Sequence, residues 1–180
     1  MDTTVLVIIG VVVVLIFWFI RTLNSIKRLE VKIEEASSGI EVALEKRYDL
    51  LTNMLKTAKG YAKHEKETLV EAIQCRKGMS IEEMNEANTK MNAGFDKVFA
   101  LAESYPELKA DSVFVNLQVA VADAEEHLQA ARRVYNSNVS THNQKVVTFP
   151  NSIIAGVIRA TKKEFFKVEE SKRQNVSLDF

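Results

Sequence analysis

The 180 residues suffice for one globular domain and an anchor, and 24 Lys and Arg residues balance 24 Asp and Glu residues. This balance argues against a nucleic-acid-binding protein, which normally carries a basic excess. Only two prolines and six glycines are present, which predicts long helices, and the single cysteine, Cys75, excludes an internal disulfide.

The first predicted element is an uncharged apolar segment from Val5 to Ile20. As a helix it would span roughly 25 Å, close to the thickness of the hydrocarbon core of a bilayer. Trp18 lies near its end, where aromatic rings favour the membrane interface, and Arg21 follows. The alternative, a cleaved signal peptide, would need a basic beginning and a small-residue cleavage site. We therefore predict a transmembrane anchor over residues 1–20, with the lipid bilayer as its partner.

Basic residues follow this anchor and none precedes it; those that follow are Arg21, Lys27, Arg28 and Lys32. Because flanks rich in Lys and Arg remain in the cytoplasm, we expect the N-terminus outside and residues 21–180 inside the cell. The chain would then be a single-pass protein of the cytoplasmic membrane.

An apolar seam with a spacing of three or four residues continues beyond the anchor and predicts one long helix that ends at Lys77. The expected lengths of the later helices leave residues 21–50, a helical stalk, without a partner from the same chain. We therefore predict self-association of the stalk into a homo-oligomer. Its candidate residues are Ile26, Leu29, Ile33, Ile40 and Leu44. The alternative is a frayed or bent stalk whose apolar side chains rest on the bilayer.

Three further helices are predicted from caps and apolar spacing. A capping box of Ser80 and Glu83 begins the second, and Pro106 ends it. The third begins near Asp111 or Ser112 and continues to Pro150. The fourth is amphipathic; its apolar residues are Ile154, Val157, Ile158, Phe165 and Val168, and its basic residues are Arg159, Lys162, Lys163 and Lys167. Such a helix can lie on an anionic membrane. We instead expect a packed helix with a solvated basic face, partly because the topology places the fourth helix at the membrane-distal end.

Short connections predict antiparallel neighbours. The predicted fold class is therefore all-α, with one N-terminal transmembrane helix that continues into an antiparallel up-and-down bundle of about four helices with coiled-coil-like seams. The bundle occupies residues 51–168, after the stalk, and a polar flexible tail occupies residues 169–180.

Several separate motifs resemble the LemA family of bacterial membrane-anchored proteins. They are KRYDLL at 46–51, KGYAKHE at 59–65, SYPELKA at 104–110, ARRVYNSNV at 131–139, Asn143 and Phe149-Pro150. The resemblance implies an N-terminal transmembrane helix followed by an antiparallel helical bundle, and it implies no established activity, substrate or cofactor. Thr52 stands where the family usually has proline, and His142 where it usually has tyrosine.

No sequence pattern for catalysis or metal binding is visible. The three histidines, His64, His127 and His142, lack the Glu three positions earlier that di-iron bundles use, so we place them on solvated faces. A phosphate-binding loop, a metal-binding cysteine pair and a nucleophile elbow are also missing. We expect no enzyme activity, no cofactor and no bound metal.

A polar stripe of Arg132, Asn136 and Asn143 follows one edge of the third helix, and Arg47 occupies an apolar seam position of the first. A ligand-binding groove is one interpretation. We favour a hydrogen-bonded structural layer that fixes the register of the helices, because a half-buried cation must find a partner.

Together these features favour a non-enzymatic scaffold or assembly protein of the bacterial cytoplasmic membrane that self-associates through its stalk. The alternative is a binding module that presents the bundle to an unidentified protein partner in envelope maintenance or signalling.

Overall fold

The computed structural model describes residues 2–61 and 78–167. Within these ranges every regular element is a helix: α1 Thr3–Lys59, α2 Ile81–Ser104, α3 Pro106–Ala110, α4 Ser112–Val147 and α5 Asn151–Val157. The all-α class with one long apolar N-terminal helix is confirmed. The predicted part of the first helix between residues 62 and 77, with His64 and Cys75, and the predicted tail lie outside the described residues.

The helix starts follow the local capping chemistry that the sequence predicts. At α2, the Ser80 hydroxyl accepts from the amide of Glu83 (3.1 Å), and the Glu83 carboxylate accepts from the amide of Ser80 (2.7 Å), which confirms the capping box. At α4, the Asp111 carboxylate accepts from the amides of Val113 (2.7 Å) and Phe114 (3.2 Å). Both caps satisfy amides that the first helical turn leaves without a partner.

The described chain forms two compact units. The first joins residues up to Ala36 with Val134–Phe165, and the second joins Ser37 to Arg133 and begins again at Phe166. The predicted division into a stalk over residues 21–50 and a bundle over residues 51–168 stays a prediction.

In the first unit, α4 runs antiparallel to α1. The Asn138 side chain donates to the Lys32 carbonyl (3.2 Å), and about two helical turns earlier on α1 the Lys145 ammonium donates to the Ser25 hydroxyl. Ile26 and Ile33, each next to one of these contacts along α1, are buried. The prediction that this part of α1 has no partner from its own chain is therefore wrong, because α4 reaches back along it.

The same correction applies to α1 in the second unit, where Ile40 and Leu44 are buried as well. Leu29, in the first unit, is half-buried. The apolar seam of residues 26–44 is thus accounted for by packing within the chain. Self-association of the stalk was inferred because these side chains were expected to be exposed. Since they pack within the chain, self-association stays a prediction without that support.

In the second unit, α2 runs in the same direction as α1. The Gly78 amide donates to the Glu41 carboxylate (3.2 Å), and Gly94, farther along α2, lies against Leu51, farther along α1. We expected α2 to be antiparallel because we took α1 to continue to Lys77 and then turn sharply. Instead α1 ends at Lys59, and residues 62–77 are numerous enough to connect Tyr61 to Gly78 at the level of Glu41.

The closest approach of α1 and α2 requires a glycine. A Cβ atom at Gly94 would lie 2.8 Å from Leu51 Cδ2, and both residues are buried. Direct contact of the α2 backbone with a leucine of α1 is therefore possible only at a residue without a side chain.

The predicted fourth helix is much shorter than expected. It ends at Val157 in a Schellman motif: the Ala160 amide donates to the Ala155 carbonyl (2.9 Å) and the Arg159 amide to the Gly156 carbonyl (3.2 Å). Arg159 adopts the left-handed conformation (φ 54°) that this motif requires. Lys162, Lys163 and Lys167 consequently lie beyond the helix, so the prediction of a basic amphipathic helix is wrong.

Candidate functional site: a buried arginine cluster and an exposed apolar segment

Arg47 is the most buried cation among the described residues, with 3% of its side chain exposed. It lies on α1 within the KRYDLL motif, one turn before Leu51 of the apolar seam. A guanidinium in this position is costly unless polar groups replace the water that it loses.

Side chains from α2 and α4 supply these groups. The Arg47 guanidinium donates to the side-chain oxygens of Asn88 and Asn92, the latter at 2.6 Å. Its Nη2 atom also lies 3.0 Å from the Glu125 carboxylate, which is 27% exposed. Asn88 and Asn92 are four residues apart and therefore present both amides on one face of α2. The cluster thus joins three helices of the second unit through one charge.

The face of the guanidinium is covered by an aromatic ring. Its Cζ atom lies 5.4 Å from the centroid of Phe95, within the range of a cation–π interaction. Phe95 in turn stacks on Phe99, with centroids 6.3 Å apart. Arg47 therefore meets a carboxylate and two amides at its edge and a ring on its face.

Chemically, this arrangement holds a charge in place. The cation is engaged by the carboxylate and amides of its own chain, and such pairs fix the register of packed helices. Across residues 2–61 and 78–167, no group of three His, Cys, Asp or Glu side chains is arranged to hold a metal ion. The cluster has the composition of a structural layer.

The contacts of Arg47 described above come from Asn88, Asn92, Phe95 and Glu125, and none of these belongs to the predicted polar stripe. Arg132 is half-buried in the second unit, whereas Asn136 and Asn143 are half-buried in the first. Asn143 instead binds the backbone that follows α5. Sequence reasoning missed Asn88, Asn92 and Glu125 as partners of Arg47; the two asparagines with a spacing of four were the available signal.

A second polar contact of the same unit joins the end of α1 to the start of α4. The Tyr61 hydroxyl donates to the Asp111 carboxylate at 2.7 Å. This hydrogen bond raises the pKa of Tyr61, and it lowers the pKa of Asp111 together with the amides of Phe114 and Val113. Tyr61 belongs to the KGYAKHE motif, and Asp111 directly follows SYPELKA.

His142 lies in the core of the first unit with no exposed surface. Its Nε2 atom is 3.9 Å from the Glu30 carboxylate, and its Nδ1 atom is 3.4 Å from the Asn143 side-chain oxygen. The prediction of a solvated histidine is wrong here, because His142 occupies the apolar seam of α4. His127 is exposed, as expected.

The apolar beginning of α1 is the other candidate functional surface. Every residue from Val5 to Ile20 is exposed except Trp18, which is half-buried. Thr22 is the first buried residue of α1. Among the described helices, α1 alone is long and apolar enough to cross a membrane, judged by length and composition.

Comparison with known proteins adds two findings. The model of the LemA family matches residues 36–180. A relative, Protein LemA from Metamycoplasma hominis, is 26% identical over 165 residues, which cover 89% of this chain and 75% of the relative. The family match covers the residues of the arginine cluster and of the contact between Tyr61 and Asp111.

Proposed function

The chain belongs to the LemA family, and on that premise we propose that it is a non-enzymatic, membrane-anchored scaffold protein of the bacterial cytoplasmic membrane. This proposal rests on one observation: the burial of α1 changes at Thr22. Before Thr22 its apolar side chains are exposed, and from Thr22 onward it has a buried face.

The exposed part of α1 supports the anchor. Its apolar side chains, exposed continuously from Val5 to Phe17, form a surface that is unfavourable in water. A bilayer removes this cost, and a helix satisfies its own backbone hydrogen bonds in lipid. Arg21, Lys27 and Arg28 follow the segment, which favours a cytoplasmic position for the two helical units.

The arginine cluster supports a structural role. Its carboxylate and amides all bind one guanidinium of the same chain, so the most polar part of the core serves to hold α1, α2 and α4 together. A core fixed in this way suits a protein whose surface, rather than an internal site, contacts other molecules.

A scaffold acts through several copies, and in this proposal copies meet outside the seam of residues 26–44. Those side chains are buried within the chain, so a contact between copies through them would require the helices to separate. The exposed anchor residues and the outer faces of the helices are the surfaces that remain.

The first test concerns the anchor. Val12 lies in the middle of the exposed segment, so Val12→Arg should place a charge at the bilayer centre, at a cost of about 2.5–3.5 kcal/mol. We expect this variant to be extracted by alkaline carbonate, whereas the matched Val12→Leu control stays in the membrane pellet. Extraction of the wild type and of the Val12→Leu control by alkaline carbonate would contradict an integral anchor.

The second test concerns the scaffold itself. Extraction of the full-length protein from native membranes in mild detergent, followed by mass measurement, should yield a particle with several copies of this chain. A monomer that retains a different protein in stoichiometric amount would instead favour the binding module. A monomer that retains nothing would contradict both.

A further inference from the structure

The connection between α4 and α5 presents apolar side chains to the outside. Phe149 is 76% exposed, and Ile153 and Val157 on α5 are 56% and 66% exposed. Ile153 and Val157 are four residues apart and so lie on one face of the short helix, while Ile154 and Ala155 on the other side are buried. The exposed side chains form a small apolar surface, which we call the α5 patch (Phe149, Ile153 and Val157).

The α5 patch lies at the end of the first unit that is nearest to the anchor. From Asn138 beside Lys32 to Lys145 beside Ser25, α4 advances toward the N-terminus of α1. Extrapolated at the same rate two residues past its end at Val147, the path of α4 reaches the level of about Arg21 at Phe149. The burial of α1 also starts at this level, at Thr22. The expectation that this region is distal to the membrane is therefore wrong for the first unit.

We propose that the α5 patch is a second membrane-contact site, which inserts Phe149, Ile153 and Val157 into the interface of the leaflet at which the anchor ends. This inference rests on the anchor of the proposed function. Aromatic and branched apolar side chains next to a polar backbone are stable at the boundary between headgroups and acyl chains.

The length of the anchor brings the bilayer within reach of the patch. Val5 to Ile20 spans roughly 25 Å as a helix, shorter than the usual hydrocarbon thickness of about 30 Å. A short span thins the bilayer around it and draws the headgroups toward the flanking residues. The surface of the lipid is then located at the level of Arg21, where the patch lies.

The charge of the surrounding chain fits an anionic lipid surface. Between Lys145 and Lys163 the sequence contains four cations, Lys145, Arg159, Lys162 and Lys163, and neither Asp nor Glu. Arg159, Lys162 and Lys163 are exposed. Each Lys or Arg near an anionic leaflet adds to the electrostatic attraction. A cationic segment is unsuited to contact with the same segment of a second copy, which would bring like charges together.

The depth of single tryptophans tests the proposal in the full-length protein. The wild-type protein has one tryptophan, Trp18, and reports on the anchor. In a Trp18→Phe background, Phe149→Trp reports on the α5 patch. The matched control is Val134→Trp, because Val134 is also exposed (57%) on α4 of the same unit but lies about 16 Å farther from the anchor than Lys145.

Each protein is reconstituted into vesicles of phosphatidylcholine and phosphatidylglycerol that contain lipids brominated near the headgroup. We expect quenching of Trp18 and of the Phe149→Trp variant to similar extents, and little quenching of the Val134→Trp variant. Circular dichroism confirms that the helix content is unchanged. Raising the fraction of phosphatidylglycerol should increase quenching of the Phe149→Trp variant only.

The outcomes separate this inference from the proposed function. Quenching of Trp18 without quenching of the Phe149→Trp variant overturns the inference and leaves the anchor in place. Protection of the Phe149→Trp variant from aqueous acrylamide without lipid quenching also overturns it, since another protein surface would then cover the patch. An unquenched Trp18 overturns the anchor and the inference together.

Discussion

Asn143 binds the backbone of Lys163 at both its donor and its acceptor. The Asn143 side-chain amide donates to the Lys163 carbonyl at 2.9 Å, and its oxygen accepts from the Lys163 amide at 2.8 Å. One side chain of α4 thus forms hydrogen bonds with both the amide and the carbonyl of Lys163, in the segment that follows α5, as a neighbouring β-strand would.

The first prediction follows from this pair of hydrogen bonds. Asn143→Ala removes both and should lower the free energy of unfolding by about 0.5–1.5 kcal/mol, because water can replace much of what the exposed Lys163 backbone groups lose. Urea denaturation in detergent micelles measures the change. The neighbouring Gln144→Ala is the control, since Gln144 is exposed. Equal stability of the two variants would show that the Lys163 contact does not contribute.

The second prediction concerns the arginine cluster. Arg47→Ala should lower the free energy of unfolding by about 3 kcal/mol or more, because it leaves the Asn88, Asn92 and Glu125 side chains without the cation that they surround. Arg47→Lys should recover only part of the loss, since an ammonium cannot reproduce the planar fork of the guanidinium. The adjacent, exposed Lys46→Ala is the control. A fully stable Arg47→Lys variant would contradict the geometric role.

The third prediction concerns pH. Because the pKa of Asp111 is lowered from its ordinary 3.8, its contribution to stability is present above that value and is lost as the pH falls through the folded pKa. Because the pKa of Tyr61 is raised from 10.0, its contribution is present below that value and is lost as the pH rises through the folded pKa.

Tyr61→Phe should therefore weaken both the acid and the alkaline dependence; burial also raises the pKa of Tyr135, so part of the alkaline dependence remains. The melting temperature measured from pH 2 to pH 12 checks this, with Tyr105→Phe as a control on an exposed tyrosine. Parallel curves for wild type and Tyr61→Phe would rule out the contact with Asp111 in solution.

The fourth prediction concerns the approach of α2 to α1. Gly94→Val should destabilise the protein by about 1–3 kcal/mol, because the added side chain overlaps buried Leu51. Ala93→Val, one position earlier and exposed, carries the same β-branched residue and controls for helix propensity. If both variants lose the same stability, the loss comes from the helix itself and not from the contact.

Where the fold could be predicted, the causes were local. Ser80 and Glu83 satisfy each other within one turn, and Asp111 caps the helix that it precedes, so the positions of these helix starts follow from neighbouring residues. The direction of α2 could not be predicted in this way. It is set by contacts between residues far apart in the sequence, such as Gly78 with Glu41 and Gly94 with Leu51, and the apolar spacing of α2 is the same for either direction.

The end of α5 was missed for a different reason. A Schellman motif normally has glycine in the left-handed position, and here that position is Arg159. The apolar spacing of Val157, Ile158 and Phe165 continues past this point, so it predicted a helix through the motif. The same error concealed the hydrogen bonds between Asn143 and Lys163, since a helical backbone would have satisfied itself.

The candidate site was predicted in part. Arg47 stood out because a cation interrupted an apolar seam, and a partner was required on physical grounds. Asn92 and Glu125 are polar residues at positions that a solvated face also tolerates, so their role appears only when α2 and α4 are placed beside α1.

Because α1 is continuous, its buried part fixes how its apolar N-terminal segment is rotated about the helix axis. Between Gly10 and Gly39, α1 contains neither glycine nor proline, so Trp18, Thr22 and Ile26 follow one another at intervals of four on a single side. Thr22 and Ile26 are buried, and Trp18 is the one half-buried residue of the apolar segment. The packing of Ile26 therefore fixes the rotation of α1 about its own axis. In the proposed anchor, each side chain from Val5 to Ile20 would then face a fixed direction in the lipid.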